Sequence, residues 1–433
     1  FNMLNKLKHK WKQILIFLSL VGPGIITGNV DNDAGGIATY SIAGAHYGYA
    51  MLWTLIPVTI LLIYTLNASY RMGVATGQGL GDLIREKFRV KGAFILLFLV
   101  FFANLGTTTS EFAGIYSSIQ IMGINFSNDF PPLQSKAFLT ILTYLLTVLM
   151  AVFVWTIVVK GTYKMVERVF IFSCFFYLSY VFSAFYAKPE WSEVWRGFFI
   201  PTIKYESEYI FDLIGVIGTT ITPWMNFYMH ATMLEKGITA KSYYISKWDV
   251  VIGSIMTDIV AFFMIVACGA TLFQKHIRVE SIYDIGQSLI PIAGSYSSLL
   301  FAAGLFNASV LASAVLPLAT AYAICETFGW EIGIEKSFNE AKMFYSIFTF
   351  MIVIGCSLVL IPGMPLLFIM RLSQVANGIL LPIFLFYLIT IASDKKTMGE
   401  FVFSKFEKSF GWFSTVILTI LSVMLVYQSL AGN

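Results

Sequence analysis

The sequence predicts an all-α polytopic membrane protein, and three observations carry that prediction. The 433 residues are 58% hydrophobic and only 12% charged, whereas a soluble domain is roughly 45–50% apolar and about 25% charged. The apolar residues fall into long blocks near or above the roughly 20 residues that a helix needs to cross hydrocarbon, not into the short alternating segments of an outer-membrane barrel. Lysine and arginine concentrate in every second connection between those blocks, as the positive-inside rule requires of a multi-span protein.

Eleven spans are expected, at about 13–46, 50–76, 93–123, 137–160, 166–188, 209–234, 248–274, 297–325, 340–361, 366–393 and 409–430. The start, KLKHKWKQILIFLSL, resembles the charged and apolar parts of a signal peptide. It has no small-x-small cleavage site and runs directly into GPG, so it reads as the first span. With the amino terminus cytoplasmic, inside segments hold 20 Lys and Arg, against 6 in the outside connections. That bias places the carboxyl terminus outside, and the size and sparse loops point to a plasma (inner) membrane. The longest connections, 188–208 and 275–296, carry too little charge for a separate domain, so residues 1–433 read as one transmembrane domain. Cys174, Cys268, Cys325 and Cys356 all lie in apolar blocks without C-x-x-C spacing, which points to neither a disulfide framework nor a zinc site. The net charge of +4 gives no reason to expect nucleic acid.

Two spans are interrupted. Span 1 contains GNVDNDAGG at 28–36, where glycine is a poor helix former and Asp and Asn compete for backbone hydrogen bonds; unwinding is expected near 31–36. Span 6 contains GVIGTTITPWMNFYMH at 215–230, and Pro223 predicts a break at about 219–223. Irregular backbone at membrane depth is tolerated only inside protein or beside a water-filled cavity. The breaks lie five spans apart, so a second copy of a five-span unit is inverted, with repeats at about 13–188 and 209–393 and an extra span at 409–430. Paired interrupted helices in corresponding halves point to a transporter with its site at the midplane.

Intramembrane acids sharpen that reading. Asp31, Asp33, Glu111 and Asp258 lie well inside predicted spans, where a charge costs roughly 2.5–3.5 kcal/mol on insertion scales. Two acids two residues apart repel unless a cation sits near them. Asp33 is the first candidate cation ligand, Asp31 a direct or water-mediated one, and Glu111 and Asp258 are candidates for the pathway or vestibule.

GPG (22–24), eight residues and then DAGGIAT (33–39) resemble the GPG…DPGNxAT signature of the Nramp divalent-metal transporters. TTITPWMNFYMH (219–230) is similar to that family's ATVMPHNxYxH segment, and TTTSEFAG (107–114) to its TDLAEFLG. FAAG (301–304) and SQV…LP (373–382, around Asn377) match more weakly. The resemblance covers the whole chain and implies a LeuT-type fold of two inverted five-helix repeats with broken helices 1 and 6. It places Asp33 at the family's metal-binding Asp. Departures from the pattern imply more. Gly36 stands for a liganding Asn and Thr222 for the liganding Met. Trp224 stands for a His thought to assist proton movement, and Thr108 for an Asp on the proton route, while Glu111 is kept. This set resembles the branch of Nramp-related magnesium transporters.

Ligand chemistry agrees. A thioether favours soft ions, whereas Mg²⁺ takes oxygens and keeps several waters. The expected metal set is Asp33, Asp31, the Thr219 carbonyl, Thr222 and Asn226, with Gly36 widening the site; Glu111, Trp224, Thr108, Asp258 and Asn377 line the pathway. For Thr222 and Asn226, bonding to freed helix carbonyls is the competing role. Loss of the His and the Asp implies Mg²⁺ (also Mn²⁺) uptake that is driven by the membrane potential and not proton-coupled. Two charges falling through 100 mV release about 4.6 kcal/mol, enough for a gradient of ~10³. The alternatives are a proton-coupled Mn²⁺/Fe²⁺ symporter, and an amino-acid or sodium symporter of the same fold, whose substrate carboxylate the paired acids repel. His9, His46, His230 and His276 form no H-E-x-x-H pattern, and no G-x-S-x-G or P-loop occurs, so no enzyme is expected. The expected partners are the divalent metal ion, as transported substrate rather than cofactor, and the lipid bilayer. No obligate protein partner is evident.

Overall fold

The computed structural model describes residues 30–127, 131–160, 178–235, 237, 240–334 and 336–431. The GPG segment, the first half of span 1 and most of span 5 lie outside the described residues. The described secondary structure is helical. After a break at residues 31–33, α1 runs Ala34–Tyr47. There follow α2 (Leu55–Thr76), α3 (Leu80–Phe126), α4 (Lys136–Lys160), α5 (Leu178–Tyr186) and the short α6 (Trp191–Phe199). Span 6 is divided into α7 (Ser207–Thr220) and α8 (Pro223–Glu235). Then come α9 (Ala240–Cys268), α10 (Ser297–Phe328), α11 (Lys342–Val359), α12 (Leu366–Ala392) and α13 (Lys405–Ala431). Helix α3 is kinked at Arg89, which has φ 61° and separates a polar first segment from span 3 proper.

Among the described residues eight helical segments are long and apolar enough to cross a membrane. The three other expected spans are accounted for. Span 6 is split into two pieces too short to qualify, only the second part of span 1 is described, and span 5 is largely outside the described residues.

Burial separates the scaffold from the centre. Only 22% of the apolar window of α4 is buried, and the same share of α13, against 61% for the segment containing α10 and 67% for α12. Along α4, Ile141, Leu145, Leu149 and Val152 form an exposed helical stripe that suits lipid. The central helices approach closely through small residues, as membrane helices do. A Cβ on Gly218 of α7 falls 2.3 Å from the Gly378 nitrogen of α12, and a Cβ on Gly378 falls 2.5 Å from the Ile214 carbonyl oxygen. A Cβ on Gly44 of α1 falls 2.4 Å from the Ile265 carbonyl oxygen of α9. Just beyond, Gly48 packs on Phe273 and Gly269 on Tyr49, so α1 and α9 end side by side and run parallel.

The polar contacts of the connections sort into two sets. In one, Arg85 donates to the Thr327 carbonyl at 2.7 Å, Lys87 pairs with Asp394 at 2.6 Å and Arg71 pairs with Glu407 at 2.6 Å. The hydrogen bond from the Lys87 ammonium, with help from the Lys396 amide, holds the Asp394 carboxyl below its usual value. In the other set, Arg278 pairs with Glu208 at 2.8 Å, Trp53 donates to the Thr202 carbonyl, and Gln428 donates to the Tyr205 carbonyl. Arg85, Lys87, Thr327, Asp394 and Glu407 lie in connections that the Lys and Arg count expects on one side, and Thr202, Tyr205, Glu208 and Arg278 in connections that it expects on the other.

Gly44→Val should block the α1–α9 approach, since overpacking a tight contact costs typically 1–3 kcal/mol. The expected outcome is a lower melting temperature for the detergent-solubilised protein than that of Gly44→Ala, measured by fluorescence-detected size exclusion after heating.

Candidate functional site

The break in span 1 exposes the amino-terminal amides of α1 at membrane depth, and acidic side chains meet them. Asp33 caps the helix, with Oδ1 accepting from the Gly36 amide at 2.6 Å. Glu111 of α3 accepts from the Ala34 amide through Oε2 at 3.1 Å. The amide group of Gln374, on α12, donates to Asp33 Oδ1 at 3.4 Å. Helix α1 thus resumes at Ala34, and the unwound stretch is residues 31–33, shorter than the 31–36 expected. Gly35 and Gly36 are helical without positive φ. The cap at Asp33 nucleates the helix through them.

Both glycines are there for space. A Cβ on Gly35 falls 1.8 Å from Gln374 Nε2, so any side chain there displaces Gln374 from Asp33. A Cβ on Gly36 falls 3.0 Å from the Asp31 carbonyl oxygen, 3.1 Å from the Thr219 hydroxyl and 3.3 Å from Asp33 Oδ1. Three oxygens from three residues therefore converge on the space that Gly36 leaves open.

Span 6 faces this space with its own break at Ile221 and Thr222. The residue four beyond Thr219 is Pro223, which has no N–H, so the Thr219 carbonyl lacks its helical donor. The buried Thr219 and Thr222 hydroxyls make no hydrogen bond among the described residues. Asn226 is engaged: its amide donates to the Thr222 carbonyl at 3.3 Å, and its oxygen accepts from Ser69 of α2 at 2.8 Å. The competing role considered for this residue, bonding a freed carbonyl, is the one seen in this conformation. Tyr40 and Thr220 share a 2.6 Å hydrogen bond that ties α1 to α7.

The remaining candidates surround this core at different distances. Asp31 is 1% exposed, and neither carboxylate oxygen has a hydrogen-bond partner among the described residues. Trp224 is buried with its indole N–H unpaired among the same residues. Asn377 donates to the Thr107 hydroxyl at 3.0 Å and so braces α12 against α3. Thr108 turns its methyl towards Gly355 of α11, and its buried hydroxyl has no partner among the described residues. Asp258 accepts from Thr59 at 2.5 Å and backs onto a lipid-side cavity of about 570 Å³ lined by Leu55, Ile60, Trp195, Phe198 and Phe262. Gln374, Ser69 and Tyr40 belong to the site and were not singled out from the sequence. A buried glutamine inside the apolar span 10 was the available signal for Gln374.

Polar contacts flank the site in two directions among the described residues. Towards one face, Arg371 of α12 pairs with Asp212 of α7 at 2.6 Å, and the Tyr47 hydroxyl of α1 donates to the same carboxylate at 3.1 Å. Towards the other, His230 of α8 bonds the Gln78 carbonyl at 2.7 Å, and the Gly81 amide donates to the buried Glu326. No group of three or more His, Cys, Asp or Glu side chains is arranged to hold a metal among the described residues. A cation at this site would draw instead on carboxylate, hydroxyl, carbonyl and water oxygens.

Comparison with known proteins places this geometry. The model of the family described as natural resistance-associated macrophage protein-like (Nramp) matches residues 24–428. A divalent metal cation transporter (MntH) of Caldanaerobacter subterraneus subsp. tengcongensis is 26% identical over 427 residues, covering 96% of this chain and 94% of the relative. Among solved structures, the Eremococcus coleocola manganese transporter in complex with an aromatic bis-isothiourea substituted compound superposes with a TM-score of 0.76 at 19% identity. That match covers 98% of this chain and 88% of the other. A nucleobase-cation-symport-1 family transporter, in a closed conformation with bromovinylhydantoin bound, shares the fold more distantly, with a TM-score of 0.56 at 13% identity over 94% of this chain and 90% of that one. The fold is thus the LeuT-like one, and the chain, a multi-pass membrane protein, belongs to the Nramp family.

Proposed function

We propose that this protein is a divalent-cation transporter that carries Mg²⁺, and Mn²⁺ as a second substrate, by alternating access. In this reading transport is driven by the membrane potential and is not coupled to protons. The coarser part rests on the family and on the relatives, one named a divalent metal cation transporter and one a manganese transporter. The choice of ion rests on the space at Gly36, where the converging atoms are the Asp31 carbonyl, the Thr219 hydroxyl and the Asp33 carboxylate. Mg²⁺ is held by one or two carboxylates and retains several waters, and a site with room beside oxygen ligands meets that demand. The unpaired Thr222 hydroxyl adds a fourth oxygen at the span 6 break. Asp33 anchors the ion, Asp31 and Thr219 complete its inner or water-bridged contacts, and the Asp212–Arg371 and His230–Gln78 contacts act as the two doors. The span 1–5 and span 6–10 repeats are taken as related by inversion, with the amino terminus cytoplasmic and the carboxyl terminus outside.

A proton-coupled Mn²⁺ carrier is the second reading. It is favoured by one observation: buried Glu111 keeps Oε1 without a hydrogen-bond partner among the described residues, as a proton-carrying group would.

Uptake into proteoliposomes under an imposed potential tests both. Wild type should accumulate Mg²⁺ at constant lumenal pH, and Asp33→Ala should fall to the level of empty liposomes. Mg²⁺ uptake by Asp33→Ala equal to wild type would remove the site assignment, and lumenal acidification in step with cation influx would establish the second reading. Thr222→Met should introduce a soft thioether and shift the Mn²⁺-to-Mg²⁺ uptake ratio by about tenfold, or ~1.4 kcal/mol; competition with Cd²⁺ measures it.

A further inference from the structure

One face of α7 carries acids. Glu208, Asp212, Gly215 and Thr219 stand at i, i+4, i+7 and i+11, which is one side of a helix. Helix α1 runs antiparallel along that side. Gly36 meets Thr219, Thr39 meets Gly215, the Tyr47 hydroxyl meets Asp212, and His46 Nδ1 lies 3.9 Å from Glu208. The stripe therefore leads from the connection expected outside to the Thr219 hydroxyl beside Gly36. Asp212 and Thr219 are seven residues apart along it, or roughly 10.5 Å.

Each acid of the stripe is held by a cation that the chain itself supplies. Arg278 donates to both Glu208 oxygens, at 2.8 and 3.0 Å. Arg371 donates to Asp212 Oδ1 from Nη2 at 2.6 Å and from Nε at 3.2 Å, which leaves Oδ2 to the Tyr47 hydroxyl. The Glu208 pair is solvated, with Arg278 66% exposed, so little holds it together. Beside it lies a cavity of about 330 Å³ lined by His46, Tyr47, Lys204, Glu206, Glu208 and Arg278. Two acids and two bases line it, so a divalent cation is favoured there only if it displaces a base. The His46 side chain is 9% exposed, and its Nε2 has no hydrogen-bond partner among the described residues, which makes it a spare contact for a water on a hydrated ion. Tyr47 lines the cavity and touches Asp212, so its phenol partitions the two. Arg371 also lines a second cavity, of about 500 Å³, with Ser117, Gln120 and Glu280. Its guanidinium thus has room to retreat and a carboxylate to receive it.

We propose that Asp212 is an entry seat for the transported divalent cation, which arrives through the cavity at Glu208, passes Tyr47 and takes Asp212 by displacing Arg371 towards Glu280. The inference rests on the transport reading above. Arg371 then stands in for the ion until one arrives, and the ion itself releases the contact that ties α12 to α7. Two positive charges replace one at a shielded carboxylate, which is what lets a divalent ion win where a monovalent one does not. From Asp212 the same face of α7 leads two turns inward to Thr219 and the Asp33 site.

The test compares the two partners of the pair in the full chain, by Mg²⁺ uptake into proteoliposomes. Asp212→Asn keeps an acceptor for Tyr47 and removes the charge, and it should raise KM roughly tenfold or more. Arg371→Gln frees the seat, and Arg371→Lys holds it less firmly because the fork of donors is lost; both should leave KM at or below that of wild type. A pair that merely latches the helices predicts the same direction for Asp212→Asn and Arg371→Gln. Glu280→Gln, at an exposed position, should raise KM about two- to fivefold, the worth of one solvated ion pair. In purified Asp33→Ala/Arg371→Gln, Mn²⁺ detected by electron paramagnetic resonance should still bind, and adding Asp212→Asn should abolish that binding. An unchanged KM in Asp212→Asn, a KM raised by either Arg371 variant, or no Mn²⁺ bound by Asp33→Ala/Arg371→Gln overturns the entry seat. An unchanged KM in Glu280→Gln overturns the retreat of Arg371. Failure of wild type to move any divalent cation overturns the transport reading instead, and the Mn²⁺ measurement then judges the seat separately.

Discussion

A backbone amide or carbonyl freed inside a bilayer has no water to turn to, and the centre of this protein is organised around the groups freed at two breaks. At the first, Asp33 and Glu111 take the Gly36 and Ala34 amides. At the second, Asn226 takes the Thr222 carbonyl, while Pro223 leaves the Thr219 carbonyl without its helical donor. The amide end of one half-helix and the carbonyl end of another are thus presented to the same small space. The ends carry opposite partial charges, and the acids at the amide end turn that pole from one that repels a cation into one that attracts it.

The surrounding helices serve this arrangement. Helix α12 contributes Gln374 to Asp33, Asn377 to α3 and Arg371 to α7. One helix therefore touches the site, the scaffold and the Arg371–Asp212 pair, and a shift of α12 would be felt at all three. The Arg371–Asp212 pair is well shielded, with Asp212 only 2% exposed, so separating it must rehydrate both partners. A buried pair of this kind is weak evidence for stability and better evidence for a choice between two states.

Much of this was legible in the chain itself. The spans stand out because charge is concentrated in the connections, and most described helix ends fall within a few residues of the expected ones; α3 and α9 start earlier, at Leu80 against 93 and Ala240 against 248. The two breaks were announced by residues that cannot continue a helix, or that compete with it. The glycines misled in one respect. Gly35 and Gly36 suggested unwound backbone, yet both are helical, and their role is to let Gln374 and three oxygens come close. That role depends on residues as distant in sequence as Gln374, which no local pattern reveals. Gln374 itself lies in the weak SQV match at 373–375, which gave it no role of its own.

The missing side chain at Gly36 has a consequence for time as well as for fit. Mg²⁺ gives up its water reluctantly, so a carrier that strips the ion bare makes each turnover wait on slow ligand exchange. On the proposed Mg²⁺ reading, room for retained water beside Asp33 would let the ion be passed along within its hydration shell. In that light the absent Cβ is a kinetic device, setting how fast a hard cation can be taken up and let go rather than how tightly it is held.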